Sequence, residues 1–319
     1  MNTVQIVRRD ADHPLTGPEV ETVVALVSAA AEHDGGSALS EQFRLSLLAG
    51  ESRGVTHLLA DAADGTLVGY GQVRAGSVDE PPSAELVVAP RSRRVGIGTA
   101  LLDAAPGGAR VWSHLPGAAG EGAAAFAAAR GLHAVRSLHV MGRSLVDGPA
   151  WPPAAVPDEF VVRRFDPDRD QDAWVAVNAA AFAHHPEQGS LTRADLEQRM
   201  GQPWFDPAGL ILVSPRDSPD EIAAFHWTKV DPPDGTVGEV YVVGVSPDRQ
   251  GSGLGRAVTV LGLDHLAGRG LTDVVLYVDE ENAAAVHTYS RLGFTDRAVH
   301  RQFARERHPS GTRAAPERH

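Results

Sequence analysis

The chain has 319 residues, 43% of them hydrophobic, which suffices for two packed domains. Its formal charge of −12 at pH 7 argues against a nucleic-acid or anionic-membrane surface, since either partner favours clustered Lys and Arg. With no cysteine, the chain has neither disulfides nor thiolate metal sites. No apolar run has the length of a membrane span, and the first residues lack a signal segment. We therefore expect a cytoplasmic monomer that needs no metal.

In the first half, a strand, a basic glycine-containing loop and a helix follow one another. Residues 86–90 predict the strand, 93–98 the loop and 99–104 the helix. Further on, residues 124–132 are rich in alanine and predict a second helix that stops at Gly131.

A proline-rich segment divides the chain. Residues 148–158 are incompatible with a helix or a central strand and predict a linker. We expect one domain over 1–147 and a second over 159–303, which starts with an edge strand at 160–165. The polar residues 304–319 lack periodicity and predict a disordered tail.

The most informative stretch is a glycine-rich loop at 250–255. An apolar strand at 240–245 and a Ser-Pro turn precede it. Apolar positions on one helical face follow it, at Leu254, Ala257, Val258, Leu261 and His265. Strand, glycine turn and helix N-terminus form a nest of backbone N–H groups that suits a pyrophosphate. Glycines alone are weak evidence for such a site.

Two further elements strengthen that interpretation. Residues 274–278 predict a fully buried strand. Residues 283–289 predict a short helix, with Gly293 where a C-terminal cap belongs. The first half repeats the arrangement without a gap, because Pro90 and Pro247 (247 − 90) and Gly96 and Gly253 (253 − 96) are both offset by 157 positions.

Together these motifs resemble the GCN5-related N-acetyltransferase superfamily. Its Gln/Arg-x-x-Gly-x-Gly motif matches Gln250, Gly253 and Gly255, and its second motif matches Asn282, Ala285, Tyr289, Gly293 and Phe294. The resemblance implies an α/β fold of two tandem acetyltransferase domains, each a mixed, centrally splayed β-sheet flanked by helices, and acetyl-CoA as donor. A dinucleotide-binding unit with Asp279 as its acidic residue is a distant alternative, because that fold lacks the second motif.

The resemblance implies two sets of cofactor contacts. In the second half they are Val243, Gly244, Val245, Gln250, Gly251, Ser252, Gly253, Leu254, Gly255, Arg256, Asn282, Ala285 and His287, the last in place of an expected arginine. In the first half they are Val87, Val88, Ala89, Arg94, Val95, Gly96, Ile97, Gly98 and Thr99, with Arg93 in register with Gln250.

Acetyl transfer to an amine requires a base, a stabilised oxyanion and an acid for the leaving thiolate. Glu239 is the candidate base, acting through a water, and Tyr289 the candidate acid. The alternatives are a solvated carboxylate and a packing aromatic. Backbone N–H groups at 243–245, beside a predicted bulge, are the candidate oxyanion donors.

The first copy lacks these groups. The ungapped alignment puts Pro82 opposite Glu239, and Glu85, three residues further on, is expected on the opposite strand face. No tyrosine occurs at 124–132. We expect a degenerate first domain that still binds acetyl-CoA and forms one wall of the acceptor site. The alternative is that its glycines form only a turn.

A closer resemblance is to a tandem branch of the superfamily. It is carried by residues 185–189, 225–229, 238–245, 253–257, 276–279 and 288–294. This resemblance implies transfer to the cysteinyl amine of cysteinyl-glucosaminyl-inositol, a small polyhydroxylated acceptor. It also implies acceptor contacts from Asp34, Glu187, Lys229, Glu239 and Tyr277, where Lys229 is the only lysine. The alternatives are a turn at Asp34 and a core position for Tyr277.

Two other functions compete with this one. A tandem acetyltransferase for another amine, such as a protein N-terminus or an aminoglycoside, fits the same motifs. A non-catalytic acyl-CoA sensor needs the phosphate nest but not an acid and a base, so Glu239 and Tyr289 argue against it.

Overall fold

The structure, a computed structural model, describes residues 4–50, 53–77 and 80–305, except for the side chains of residues 186 and 187. The chain divides into two compact units, Met1–Leu138 with Ala298–His319, and His139–Arg297. No helix in the described part of the chain combines the length and the apolar composition that crossing a bilayer requires.

The first unit has helices on both faces of a mixed sheet. In chain order its elements are β1 (Gln5–Arg9), α1 (Gly17–Asp34), α2 (Glu41–Leu48), β2 (Val55–Asp61), β3 (Leu67–Arg74), β4 (Ser83–Val88), α3 (Ile97–Ala104), β5 (Arg110–Ser113) and α4 (Gly117–Ala129). Helix α1 begins with a capping box between Thr16 and Glu19 and ends at Gly35, which is left-handed at φ 71°. One apolar cluster joins α1 and α2 to the sheet, and another joins α3 to it.

The second unit repeats this order of elements with one additional short helix, α6. After β6 (Leu132–Ser144), which begins in the first unit and ends in the second, the chain order is β7 (Phe160–Arg164), α5 (Gln171–Ala181), α6 (Pro186–Gly189), α7 (Arg193–Met200), β8 (Leu210–Pro215), β9 (Ala224–Lys229), β10 (Val237–Val245), α8 (Leu254–Gly268), β11 (Asp273–Asp279), α9 (Ala283–Arg291) and β12 (Thr295–Arg305), whose residues from Ala298 on belong to the first unit. Trp174, Trp204 and Trp227 are buried in a core against α5 and α7. A second core packs β10 and β11 against α8.

Each sheet is completed by a strand from the other half of the sequence. In the first unit the strand order is β1-β2-β3-β4-β5-β12, and in the second it is β7-β8-β9-β10-β11-β6. Residues 301–303 of β12 pair antiparallel with residues 111–113 of β5. At the end of β6, the amide of Leu145 donates to the carbonyl of Thr272.

Two local expectations differ from the structure. The predicted fully buried strand at 274–278 is wrong, because β11 has one covered face only: Val274, Leu276 and Val278 are buried, whereas Tyr277 is 46% exposed. Strand β12 runs to Arg305, so residues 304 and 305, which we predicted to belong to the disordered tail, lie in a strand. The remainder of that predicted tail lies outside the described residues. The predicted linker contains neither helix nor strand.

Candidate functional site

The glycine loop of the second unit forms the predicted nest. Gly251 and Gly253 are left-handed, at φ 78° and 84°, and Gly253 caps the N-terminus of α8 without a side-chain hydrogen bond. The residues from Gln250 to Gly253 are exposed. The first N–H groups of a 15-residue helix therefore face an open loop that fits the pyrophosphate of coenzyme A.

Strands β10 and β11 separate in the middle of β10, upstream of this loop. Their parallel pairing runs from Val237–Asp273 to Val240–Leu276. A bulge in β10 follows, because Val240 pairs with Thr228 of β9 and Val242 pairs with Trp227. The extra residue is Tyr241, so the bulge lies two residues before the predicted position at 243–245. Past the bulge, β10 continues beside β9 alone, and the gap toward β11 suits the pantetheine arm and its thioester.

Glu239 lies immediately before the bulge. It is half-buried and pairs across the sheet with Lys229 of β9 and with Val275 of β11. Residues directly opposite in an antiparallel pair project to the same face, so the side chains of Glu239 and Lys229 lie on one face of the sheet. The structure thus brings together two of the predicted site residues.

Lys229 occupies an aromatic environment on this face. Lys229 is 7% exposed. Its Nζ lies 5.0 Å from the ring centre of Trp204, 5.3 Å from that of Tyr241 and 3.8 Å from the carboxylate of Asp231. Arg199 of α7, 6% exposed, donates from Nε to the Tyr241 hydroxyl at 2.9 Å. The sequence reasoning missed Tyr241, Trp204 and Arg199, since only the bulge and the fold bring them to Lys229.

Tyr289 lies on α9, the helix that follows β11. Its ring packs against Phe294 and against the buried cluster between the sheet and α8. Burial raises the pKa of the phenol to about 12, so the hydroxyl carries its proton at neutral pH. Within the described residues its hydroxyl makes no protein hydrogen bond. Such a phenol is suited to give a proton to a thiolate.

The other residues of the second motif hold α9 in place. Asn282 caps the helix, its side-chain oxygen accepting from the amide of Ala285 at 3.1 Å. His287 is exposed on the helix surface. Gly293 is left-handed at φ 83°, directly after the helix, as the motif requires.

Of the remaining predicted acceptor contacts, Tyr277 is exposed and lies one residue beyond the last β10–β11 pair. Glu187 belongs to α6, and its side chain lies outside the described residues. Asp34 ends α1 in the first unit, where its carboxylate is bound by Arg93 through two hydrogen bonds of 2.7 Å.

The first unit keeps the backbone of the nest. Gly96 caps α3 at φ 98°, and Arg94, which is 157 positions before Gly251, is left-handed at φ 66°. Arg94 is the one non-glycine residue with this backbone among the described residues. Beside the loop, Asp34, Arg93 and residues 116–119 line an open cavity of about 490 Å³.

The structure corrects the predicted counterpart of Glu239. Val88 pairs with Gly69 and Ser83 with Arg74, with no bulge between them. The bulge at Tyr241 therefore shifts the alignment of the two units by one residue. Ser83, and not Pro82, is the residue of the first unit that corresponds to Glu239. Glu85 then lies two residues further on, hence on the same face, contrary to the expectation.

Glu85 is nevertheless enclosed in a polar network. It is 1% exposed, accepts from the amide of Ser40 at 2.7 Å and lies 2.8 Å from Nε2 of His114. The other ring nitrogen of His114 lies 3.2 Å from His300. Both carboxylate oxygens thus have protein partners, which leaves Glu85 poorly suited to abstract a substrate proton.

Comparison with known proteins agrees with this geometry. Residues 172–294 match the acetyltransferase (GNAT) family. A tandem GNAT protein from the clavulanic acid biosynthesis pathway superposes with a TM-score of 0.65 at 18% identity, over 97% of this chain and all of that one. The fold is therefore the predicted tandem acetyltransferase fold, and the protein is an acetyl-CoA-dependent N-acetyltransferase.

Sequence relatives identify the family more closely. The mycothiol acetyltransferase of Streptomyces coelicolor is 48% identical over 88% of this chain and 89% of its own length. That of Streptomyces avermitilis is 50% identical over the same shares. The chain belongs to the mycothiol acetyltransferase family.

Proposed function

We propose that this protein acetylates the cysteinyl amine of cysteinyl-glucosaminyl-inositol with acetyl-CoA, the last step of mycothiol biosynthesis. The observation that carries the proposal is the pairing of Glu239 with Lys229 at the mouth of the β10–β11 gap, on the strand that leads to the phosphate nest. The name of its relatives supports this acceptor over other amines. Acting on a small metabolite, the protein fits the cytoplasmic, monomeric state that its sequence predicts.

In the proposed reaction, Glu239 removes a proton from the acceptor ammonium through a water molecule. The amine nitrogen then attacks the thioester carbonyl, and backbone N–H groups at residues 243–245 stabilise the oxyanion. As the C–S bond breaks, Tyr289 gives its proton to the thiolate, and the second proton that the nitrogen loses as the amide forms restores the phenol. The burial that raises the pKa of Tyr289 keeps this proton in place before the reaction.

The acceptor is proposed to lie on the α5–α7 side of the sheet. Carboxylates there accept from its hydroxyls and ammonium, while Lys229 donates. Tyr277 offers an exposed aromatic surface for a sugar ring. Glu187 and Asp34 belong to the proposed contact set through the family resemblance alone.

A panel of amines with acetyl-CoA tests the proposal, with acetylated product followed by mass spectrometry because the expected acceptor carries its own thiol. The panel contains the cysteinyl conjugate, the same conjugate without inositol, an aminoglycoside and a peptide with a free N-terminus. We expect the complete conjugate to have the highest kcat/KM. An aminoglycoside or peptide that equals it would contradict the proposed acceptor, and absence of transfer to every amine would favour the acyl-CoA sensor.

A further inference from the structure

The helix that carries Tyr289 has little packing of its own. None of the nine residues of α9 is fully buried, and only Ala285, Val286 and Tyr289 are partly buried against the apolar cluster beneath it. Side-chain packing is the main source of rigidity for a short helix in a protein. The position of α9 therefore depends on what holds its two ends, and Asn282 holds the first.

A buried arginine holds the second end. Arg143, near the end of β6, is 3% exposed, and its Nη1 donates to the carbonyl of Leu292, directly after α9. Its Nη2 donates to Pro149 at 2.6 Å, and its Nε donates to Ser144 at 3.1 Å. One guanidinium thus joins the end of the catalytic helix to the proline-rich linker.

The linker is fixed against this arginine. The ring of Trp151 lies 4.5 Å from the guanidinium carbon, and its Nε1 donates to Asp264 of α8 at 2.8 Å. A Cβ at Gly293 would lie 3.0 Å from Pro149 and 3.3 Å from Arg143. The linker and the glycine after α9 are therefore in close contact around the guanidinium.

The charge of Arg143 also suits the place. Burial lowers the pKa of Arg143, but an arginine still remains protonated at neutral pH. A cation at the C-terminal end of a helix interacts favourably with the helix dipole and its unpaired carbonyls. A neutral or single-pronged side chain cannot bridge Leu292 and Pro149 in the same way.

We propose that Arg143 is a positioning residue for the reaction: together with Pro149 and Trp151 it fixes α9 so that the Tyr289 hydroxyl meets the leaving thiolate. This inference rests on the proposed role of Tyr289. It gives the linker a part in the chemistry beyond connecting two halves of the sequence.

A double-mutant cycle tests the proposal in the full-length protein. We expect Arg143→Met to lower kcat by between about tenfold and about 10²-fold, the scale on which a misplacement of about 1 Å acts, with little change in acceptor KM. Arg143→Lys, which keeps the charge, should recover part of the loss. In a Tyr289→Phe background the same Arg143→Met change should cost less than twofold, because the group that it positions is already gone.

Arg163→Met is the matched control. Arg163 is a mostly buried arginine of the same unit, on β7, whose Nη1 donates to Asp170 at 2.5 Å. The Arg163→Met variant should lower the free energy of unfolding, but its effect on kcat should be the same in the wild-type and Tyr289→Phe backgrounds. Equal losses of kcat from Arg143→Met in the wild-type and Tyr289→Phe backgrounds would overturn the proposal, as would unchanged kcat.

Hydrogen exchange supplies a measurement without an acceptor. Amides of α9 should exchange faster in Arg143→Met and Arg143→Lys, and those of α8 should not. Unchanged exchange in α9 would also overturn the proposal, whichever amine the protein acetylates. If Arg143→Met does not fold, Arg143→Lys carries both measurements, since it lacks the fork that reaches two carbonyls. If the protein does not acetylate the cysteinyl conjugate, the proposed function is wrong, but the exchange measurement still tests the role of Arg143 because it uses no acceptor.

Discussion

The loops after β4 and β10 follow the same backbone path with different chemistry around them. Gly251 and Arg94 are both left-handed, and so are Gly253 and Gly96. Yet the second loop follows a bulged strand with Glu239, whereas the first follows an unbulged strand with Ser83. The nest is made of backbone N–H groups, so its geometry does not depend on the side chains to which we assign the transfer.

The largest effect should come from the proposed acid and the proposed base. We expect Glu239→Gln and Tyr289→Phe each to lower kcat by about 10²-fold or more, with acetyl-CoA binding little changed. Ser83→Ala, aligned with Glu239, and Ala127→Gly, which lies four residues before the left-handed Gly131 as Tyr289 lies four before Gly293, are the matched controls and should leave kcat within twofold. Steady-state kinetics measure this, and near-normal turnover in both second-unit variants would refute the assignment.

Ligand stoichiometry sharpens the comparison next. We expect calorimetry of the intact protein to show two acetyl-CoA sites, because the first unit retains its nest. Gly253→Trp should remove one of them together with transfer, and Gly96→Trp the other. A single site that disappears in Gly253→Trp would mean that the first loop is only a turn. Transfer that survives loss of Glu239 and Tyr289 but not Gly96→Trp would reverse the division between the units.

A smaller effect separates acceptor from donor. Lys229→Ala should raise the acceptor KM about tenfold, the loss of one charged contact, and leave the acetyl-CoA dissociation constant nearly unchanged. The matched variant is Arg74→Ala, since Arg74 pairs with Ser83 as Lys229 pairs with Glu239. It should change neither constant. Weaker acetyl-CoA binding with an unchanged acceptor KM in Lys229→Ala would contradict this role.

The smallest effect concerns backbone strain. Arg94→Gly should raise the free energy of unfolding by up to about 1 kcal/mol, since a left-handed backbone is costly for any residue with a Cβ. Gly251→Ala should lower the free energy of unfolding by a similar amount. Urea denaturation measures both changes. An Arg94→Gly variant that is clearly less stable would show that the arginine side chain contributes more than its backbone costs.

The sequence predicted those parts of the fold that depend on residues close together in the chain. The two strand-loop-helix units, the helix with Tyr289 and the place of Gly293 all follow from short-range periodicity and from glycine. The bulge at Tyr241 did not, because an extra residue in a strand is visible only once its partner is known. The strand face of Glu85 was predicted wrongly for the same reason, because it depends on the alignment shift that the bulge causes.

Longer-range arrangements were out of reach of the sequence. The environment of Lys229 unites residues from α7, β9 and β10, and the network of Glu85 includes His300, more than 200 positions away. The contacts of Arg143 with Leu292 join the two ends of the second unit. Nothing in the spacing of these residues signals that they meet, because the topology of the sheet alone brings them together.

The exchange of strands between the sheets sets an order for biosynthesis. Residues 139–297 form one continuous unit, so all of its strands have been translated before the chain reaches Ala298. The first unit must wait for residues 301–303, which pair with the edge of β5. During translation the half that is made first is therefore completed last, and its β5 edge stays exposed in the interval. A protein truncated after the linker would lack residues 301–303, and the edge of β5 would stay unpaired.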